Sequence, residues 1–324
     1  MKVANSKLRG GAALMLALWA LFLLSAMVIS WALDINSRLV VSGNASRVLD
    51  AEAMASSGAD VALHPLIKPD SANLHGQMGK HEGYDVKMIG ECGRLNLNFL
   101  AQGEDPTKLE ILRHYLSLKG VELNNIDTMV DSLLDWVSPG QGIHHLNACP
   151  ETDDYRPPHA RLTPLEDLKK VCGWAEFTSK PGWDEDFTVV DNCTCIDLGW
   201  ASRDVLRALG LGDDKVDQFL QLRRGPDGID GTADDLQVSA AASGSALSAA
   251  ACGQPPPVQI QTALGLNQQP PPPLLAQGLL GFNLPVFRVV SVGKSGDVSR
   301  TVQMVVSRLG GAGGSPLVIS WKEL

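Results

Sequence analysis

The sequence predicts an α+β protein: one very long N-terminal helix, a helix-rich middle and a small antiparallel sheet near the C-terminal end. Three observations carry this. An uncharged apolar run, Ala12 to Leu33, continues into helically spaced apolar residues with no proline before His64-Pro65. From Pro106 to Arg223, several segments show the 3.6-residue period with capping residues at their starts. From Pro285 onward the period becomes two, β-branched residues dominate, and glycine-containing turns separate the runs.

The N-terminal element comes first. Lys2, Lys7 and Arg9 precede Gly10-Gly11, and Asp34 is the first charge after Arg9. An apolar run of this length crosses about 30 Å of hydrocarbon as a helix. The basic residues on its N-terminal side hold that end in the cytoplasm, so the rest of the chain is predicted to lie across the membrane. A removed signal peptide fits less well. It has a shorter apolar core and a small-x-small cleavage site, whereas this run ends Ser30-Trp31-Ala32-Leu33-Asp34. Beyond it, Ile35, Leu39, Val40, Val48, Leu49, Ala53, Met54 and Val61 recur at helical spacing, interrupted only by Gly43 and Gly58. One helix from Gly11 to Leu63, about 80 Å long, is predicted to be amphipathic in its second half and to pack there on a folded domain.

Residues 64–90 read as loop and weak strand, and Gly93–Leu100 as a short alternating segment ending in a polar turn. Helices are predicted over Pro106–Lys119 and Asn125–Trp136, followed by a Pro/Gly/His/Asn-rich loop, 138–150. Thr163-Pro164-Leu165-Glu166 supplies an N-cap, a proline at the first helical position and an early acid, predicting a helix to Val171. Ser202 caps a helix to Leu209, and a second helix spans Lys215–Arg223. Residues 239–281, with an Ala/Ser tract and two proline runs, read as a linker or irregular insertion. The end reads as a meander: Pro285–Val292, a turn at Ser295-Gly296-Asp297, Ser299–Arg308, a Gly-rich turn at 310–314, and Leu317–Trp321.

The chemistry is sparse. A net charge of −9 argues against broad nucleic-acid binding. Six cysteines, Cys92, Cys149, Cys172, Cys193, Cys195 and Cys252, allow up to three disulfides outside the cytoplasm, with connectivity open. Cys193 and Cys195 are too close in sequence to pair with each other and each reaches elsewhere. Zinc is disfavoured, because no paired C-x-x-C is present and His144-His145 looks isolated. The sequence has no G-x-S-x-G, H-E-x-x-H or P-loop, so no catalytic role is expected. Leu206-x-x-Leu209-Gly210-Leu211-Gly212 followed by Val216, Phe219 and Leu220 fits a helix-hairpin-helix, whose hairpin amides bind phosphate in nucleic-acid proteins. A membrane-anchored DNA-uptake receptor is the alternative this raises. Between Arg203 and Asp235, however, five basic residues face eight acidic ones, and Asp213-Asp214 stand in the hairpin, so a structural hairpin is the preferred reading. The segment Gly225–Asp235 offers Asp227, Asp230, Asp234 and Asp235, with glycines for tight turns, as oxygen ligands for a hard cation such as calcium. Glu151, Asp153 and Asp154 form a second acidic candidate.

A basic leader, a glycine and then an apolar helix is the layout of type IV pilin-like precursors. In order along the chain come Arg9-Gly10, Leu18-Trp19-Ala20-Leu21, Gly93-x-Leu-Asn-Leu-Asn98, Leu134-Asp135-Trp136, Glu151-x-Asp-Asp-Tyr155, Leu162-x-Pro-Leu-Glu-Asp-Leu168, Ile196-Asp197-Leu198 and Ile319-Ser320-Trp321. In this order the chain resembles the K-type minor pseudopilins of bacterial type II secretion systems. The resemblance implies cleavage by a prepilin peptidase at Gly10|Gly11, with Gly11|Ala12 second. It implies a single-pass anchor in the bacterial inner membrane and a pilin-like α/β domain in the periplasm, with a large helical domain inserted before the last strands. The division it suggests is leader 1–10, membrane helix 11–33, first pilin-like part 34–90, inserted domain 91–238, linker 239–281 and final meander 282–324. It also implies assembly with I-type and J-type minor pseudopilins and other pseudopilus subunits at the filament tip, without nucleic acid. Major pilins carry a glutamate at the fifth mature position; K-type members lack it, and Met15 stands there here. Some K-type members bind calcium in the inserted domain. The loop after Trp136, Val137-Ser138-Pro139-Gly140, lacks the acids common there, which favours 227–235 over 151–154. A minor pilin of a type IV pilus is the remaining alternative.

Overall fold

A computed structural model describes residues 8–139, 144–236, 256–267, 274, 277–308 and 315–324. The predicted leader residues 1–7, most of the Ala/Ser and proline tracts and the turn at 310–314 lie outside these. The first helix, α1, is continuous over Leu8–Leu63, about 80 Å at 1.5 Å per residue. From Ala13 through Arg47 every residue is exposed, so the apolar run has no partner among the described residues. The last turns are different. Ala51, Ala55, Ala59 and Ala62 are fully buried, and their spacing places them on one face.

That face lies on the sheet. The strands are β1 (His75–Gln77), β2 (Glu82–Gly90), β3 (Leu95–Asn96), β4 (Phe187–Thr188), β5 (Ile196–Asp197), β6 (Leu280–Gly281), β7 (Val286–Ser295), β8 (Val298–Ser307) and β9 (Leu317–Glu323). Five form one antiparallel sheet in the order β1-β2-β7-β8-β9. Val86 and Met88 of β2, Val289 of β7, and Val302, Met304 and Val306 of β8 pack under the alanines of α1. Alanine and glycine at the contact allow a close approach: a Cβ on Gly293 would stand 2.0 Å from the Ala51 carbonyl oxygen and 2.2 Å from the Ala55 nitrogen. At the end of α1, Arg308 donates to the Ala62 carbonyl at 3.1 Å, a cation where the helix dipole is negative.

The chain leaves the sheet after β2 and returns at β7, and the excursion forms the helical domain. Its longer helices are α3 (Pro106–Leu118) and α4 (Leu123–Val137), preceded by the short α2 (Leu97–Ala101) and followed by α5 (Ala175–Thr178), α6 (Arg203–Ala208) and α7 (Asp213–Arg223). Asp105 caps α3, accepting from the Thr107 and Lys108 amides at 2.8 and 3.3 Å. Tyr115, Trp174, Phe177 and Phe187 meet edge-on or tilted at its centre, with ring centroids 5.0 to 6.0 Å apart, geometries that suit the aromatic quadrupole.

Four stretches differ from the sequence-based expectation. Gly93–Leu100 is strand only at Leu95–Asn96 and then turns into α2. Its asparagines are buried rather than outward: Asn96 caps α2 and donates to the carbonyls of Val190 and Cys193 at 2.7 and 2.9 Å, while Asn98 pairs with the Leu162 backbone in both directions. Thr163–Val171 is a 3-10 helix over Leu165–Lys170, and Pro164, with an extended backbone (φ −91°, ψ 144°), stands before it as the cap and not at its first helical position. Residues 64–90 hold β2, a nine-residue strand paired along its whole length with β7. Within 239–281, read as a linker or irregular insertion, the described residues include regular structure. Val258–Ala263 is helical, and Ile260, Leu264, Leu266, Leu279 and Leu280 bury themselves in the helical domain.

A polar junction ties this domain to the sheet. The buried Glu91 carboxylate accepts from Arg288 Nε and Nη2 at 2.7 and 2.8 Å and from Thr188 Oγ1 at 2.6 Å. The Cys92–Cys193 disulfide adjoins it. Asp197, fully buried, accepts main-chain N–H groups of Gly199, Asn283 and Leu284 at 2.9, 3.0 and 2.7 Å.

Candidate functional site

Two features stand out as places of action: the uncovered half of α1 and the acidic loop after α7. Gly10 and Gly11 lie in the first turn of α1. α1 is long and apolar enough to cross a membrane, and among the described residues nothing buries its apolar window. Met15 is exposed on it, and charge begins with the Asp34–Arg38 pair, 2.9 Å apart at i,i+4 spacing.

The acidic loop starts where α7 ends. Gly225, Gly228 and Gly231 all have positive φ, a conformation that disfavours other side chains, and a Cβ on Gly225 would meet the Asp234 carboxylate at 2.5 Å. The resulting turns bring one carboxylate oxygen each from Asp227, Asp234 and Asp235 within 4.8 Å of one another. The Ile229 amide donates to Asp227 Oδ1 at 2.8 Å, the Asp227 amide to Asp234 Oδ2 at 3.3 Å, and the Gly231 amide to Asp235 Oδ2 at 2.6 Å. Asp235 is buried while the other two are exposed. Burial, and then the charges of Asp230 and Asp227, push the Asp235 carboxyl above its ordinary range against the pull of the Gly231 amide. The Thr232 hydroxyl, first among several hydrogen bonds, holds Asp234 below its own. Three hard oxygen ligands at a glycine turn are a donor set for a hard divalent cation.

Asp230 is not part of that set. It turns back to Arg223 and Arg224, at 3.0 Å from each. Arg223 is almost completely buried and also donates to the carbonyls of Leu198 and Ala201 at 3.3 and 2.6 Å, so Asp230 supplies the counter-charge that a buried guanidinium requires. No spacing rule reveals this, because the arginines belong to α7 and the aspartate to the loop. The second acidic candidate is likewise split among partners. Glu151 pairs with His159 at 3.2 Å and Asp153 with Arg156 at 2.8 Å, and Asp154 is exposed.

The hairpin predicted between residues 206 and 223 is formed by α6 and α7, with Gly210 at positive φ and Gly212 at the N-cap. Ser202 caps α6 through the Val205 amide at 3.1 Å. The arginines available to a phosphate are already paired: Arg203 Nε with Asp217 at 2.8 Å and Arg207 Nε with Asp213 at 2.6 Å. Among the cysteines, Cys92 joins Cys193 and Cys149 joins Cys172. Cys195 is also disulfide-bonded, and Cys252 lies outside the described residues. His144 and His145, isolated in the sequence, converge on Asp135 near the end of α4.

A long helix with an uncovered apolar half, its second half seated on an antiparallel sheet, defines a pilin-like α+β protein, here with a helical domain inserted between β2 and β7. No family model matches the sequence, and no match is found among curated proteins. The fold is similar to a chain in the crystal structure of the GspK-GspI-GspJ complex from the enterotoxigenic Escherichia coli type 2 secretion system. The TM-score is 0.53 at 12% identity, over 90% of this chain and 99% of that one. At that identity the likeness is one of fold.

Proposed function

We propose that the chain is a minor pseudopilin of the K type, a structural subunit at the tip of a type II secretion pseudopilus, acting with I-type and J-type partners. The observation that supports this most is the likeness to a chain of the GspK-GspI-GspJ complex over nine-tenths of the chain, helical domain and pilin-like body together. The uncovered half of α1 then serves first as an inner-membrane anchor and later as a packing surface within the filament. Met15 follows: a cut after Gly10 leaves no carboxylate at the fifth position to pair with the N-terminal amine of a subunit above, which suits a subunit with nothing above it. Mass spectrometry of the mature protein tests this. Cells with a prepilin peptidase are expected to yield a chain beginning at Gly11, and cells without it the full precursor. A mature chain beginning near Asp34 would refute it.

In this reading the Asp227, Asp234 and Asp235 carboxylates hold calcium and brace the end of α7. Calcium at a hundred times its dissociation constant is expected to stabilise the protein by about 2.7 kcal/mol, read as a rise in unfolding midpoint. Asp234→Asn with Asp235→Asn should remove that rise. Because Asp235 binds its proton unusually tightly, the calcium effect should shrink as the pH falls. An undiminished rise in the double variant would exclude this site. The DNA-receptor alternative is opposed by the paired arginines of the hairpin, and nanomolar, salt-sensitive DNA binding would restore it.

A further inference from the structure

Two buried carboxylates, Asp135 and Asp131, hold down the segment after α4. Asp135 is 4% exposed. Its Oδ2 lies 2.8 Å from His144 Nδ1 and its Oδ1 2.5 Å from His145 Nδ1, and the His145 main-chain N–H donates to the same Oδ1 at 3.1 Å. One turn earlier, Asp131 Oδ2 accepts from the main-chain N–H and Nδ2 of Asn147 at 3.1 and 3.0 Å. Ser132 Oγ accepts from the Cys149 amide at 3.2 Å. Residues 144–149 therefore lie along α4, fixed at one end by the Cys149–Cys172 disulfide. Tied on both sides, Leu146 projects outward, 93% exposed.

The groups facing the His145 ring are acidic. Asp135 stands on one side, and Glu104, from the turn before α3, lies 3.4 Å from His145 Nε2 on the other. His159 Nδ1 lies 3.0 Å from the Asp135 carbonyl oxygen and its Nε2 meets Glu151; the Tyr155 phenol also feels Asp135. Burial disfavours the charged His145 ring, but the hydrogen bonds to Asp135 and Glu104 outweigh burial and hold its pKa above the ordinary value.

We propose that residues 144–149 form a pH-sensitive strap. Protonated His145 locks its start onto Asp135 and Glu104, and loss of that proton loosens it as far as Asn147, which Asp131 still holds. Hydrogen bonds between ionised groups are roughly twice as strong as neutral ones, and a buried carboxylate without counter-charge is strongly disfavoured. The sign follows. With a folded-state pKa above the unfolded one, His145 contributes stability that is complete below about pH 6.5 and is lost as the pH rises through the folded value.

Hydrogen exchange followed by mass spectrometry, on the full chain in detergent micelles at about pH 5.5 and about pH 8.5, tests this after correction for intrinsic exchange. Amides 145 and 146 are expected to be about tenfold better protected at the lower pH, while amides 147 and 149, held by Asp131 and Ser132, change less. His144→Gln with His145→Gln should flatten that difference, while β7 amides report an intact fold. Glu104→Gln keeps the Asp135 bonds and should move the midpoint to lower pH. Equal protection at both pH values in the unaltered protein, or a pH dependence that survives the double substitution, overturns the proposal. Should the double variant fail to fold, a Glu104→Gln midpoint that does not move decides against it.

Discussion

Gly293→Val is expected to dislodge α1 from the sheet. A Cβ at this position would stand 2.0 Å from a main-chain oxygen of α1 and 2.2 Å from a main-chain nitrogen, and neither can rotate away as a side chain could. Relief requires the helix to lift, which opens the contacts of Ala51, Ala55, Val289 and Val302 together. Overpacking in ordinary cores costs about 1–3 kcal/mol, and a backbone collision belongs at or above the top of that range. Gly293→Ala already places the offending atom and should cost nearly as much. Gly43 is the internal comparison: it lies in the uncovered half of α1 with nothing within 4 Å of a Cβ, so Gly43→Ala should be neutral or up to about 1 kcal/mol stabilising. Denaturant unfolding of the full chain in micelles measures all three. A Gly293→Ala protein within about 0.5 kcal/mol of the unaltered one would show that α1 does not rest on β7 this closely.

Glu91→Ala is expected to have the next largest effect. It removes the acceptor for Arg288 and Thr188 at once and leaves a largely buried guanidinium, with 15% of its side chain exposed, short of its counter-charge. Breaking a buried pair from one side costs about 3–5 kcal/mol. Replacing both partners, Glu91→Leu with Arg288→Met, should recover part of the loss, because the Arg288 charge goes with its partner, while the Arg94 guanidinium, 3.8 Å from Glu91, still loses a counter-charge. The readout is the unfolding midpoint with the Cys92–Cys193 disulfide kept oxidised, so that the covalent tie between helical domain and sheet is constant. A single variant as stable as the parent would mean that the disulfide alone holds the junction.

The pieces legible in the sequence are those written in local periodicity. The apolar run to Leu33 and the proline-free stretch to Leu63 gave one continuous helix. Pro106–Leu118 and Leu123–Val137 followed from amphipathic spacing, and β7, β8 and β9 from alternation around Gly296 and the turn after Ser307. The short polar elements were less legible. Asn96 and Asn98 look like the solvent side of a strand until carbonyls from residues 162 and 189–193 arrive to satisfy them. β2 was faint for a similar reason: Tyr84, Val86 and Met88 alternate with charged residues, and only β7 beside them makes the alternation a central strand.

The acidic loop divides along the same line. Glycines and aspartates between 225 and 235 announced a turn rich in oxygen ligands, and that depends on composition within eleven residues. Which aspartates converge was decided by a buried arginine: Arg223 draws Asp230 away and leaves Asp227, Asp234 and Asp235 together. The histidines are the reverse case, isolated in the sequence and joined by Asp135 in the fold. By itself, the sequence determined the long helix, the class of fold and the places where charge is concentrated, because backbone period and turn chemistry act over a few residues. Only the tertiary structure decided which charges neutralise one another and how closely α1 approaches the sheet. Ion pairing and close packing join groups far apart in the chain, and burial sets their strength.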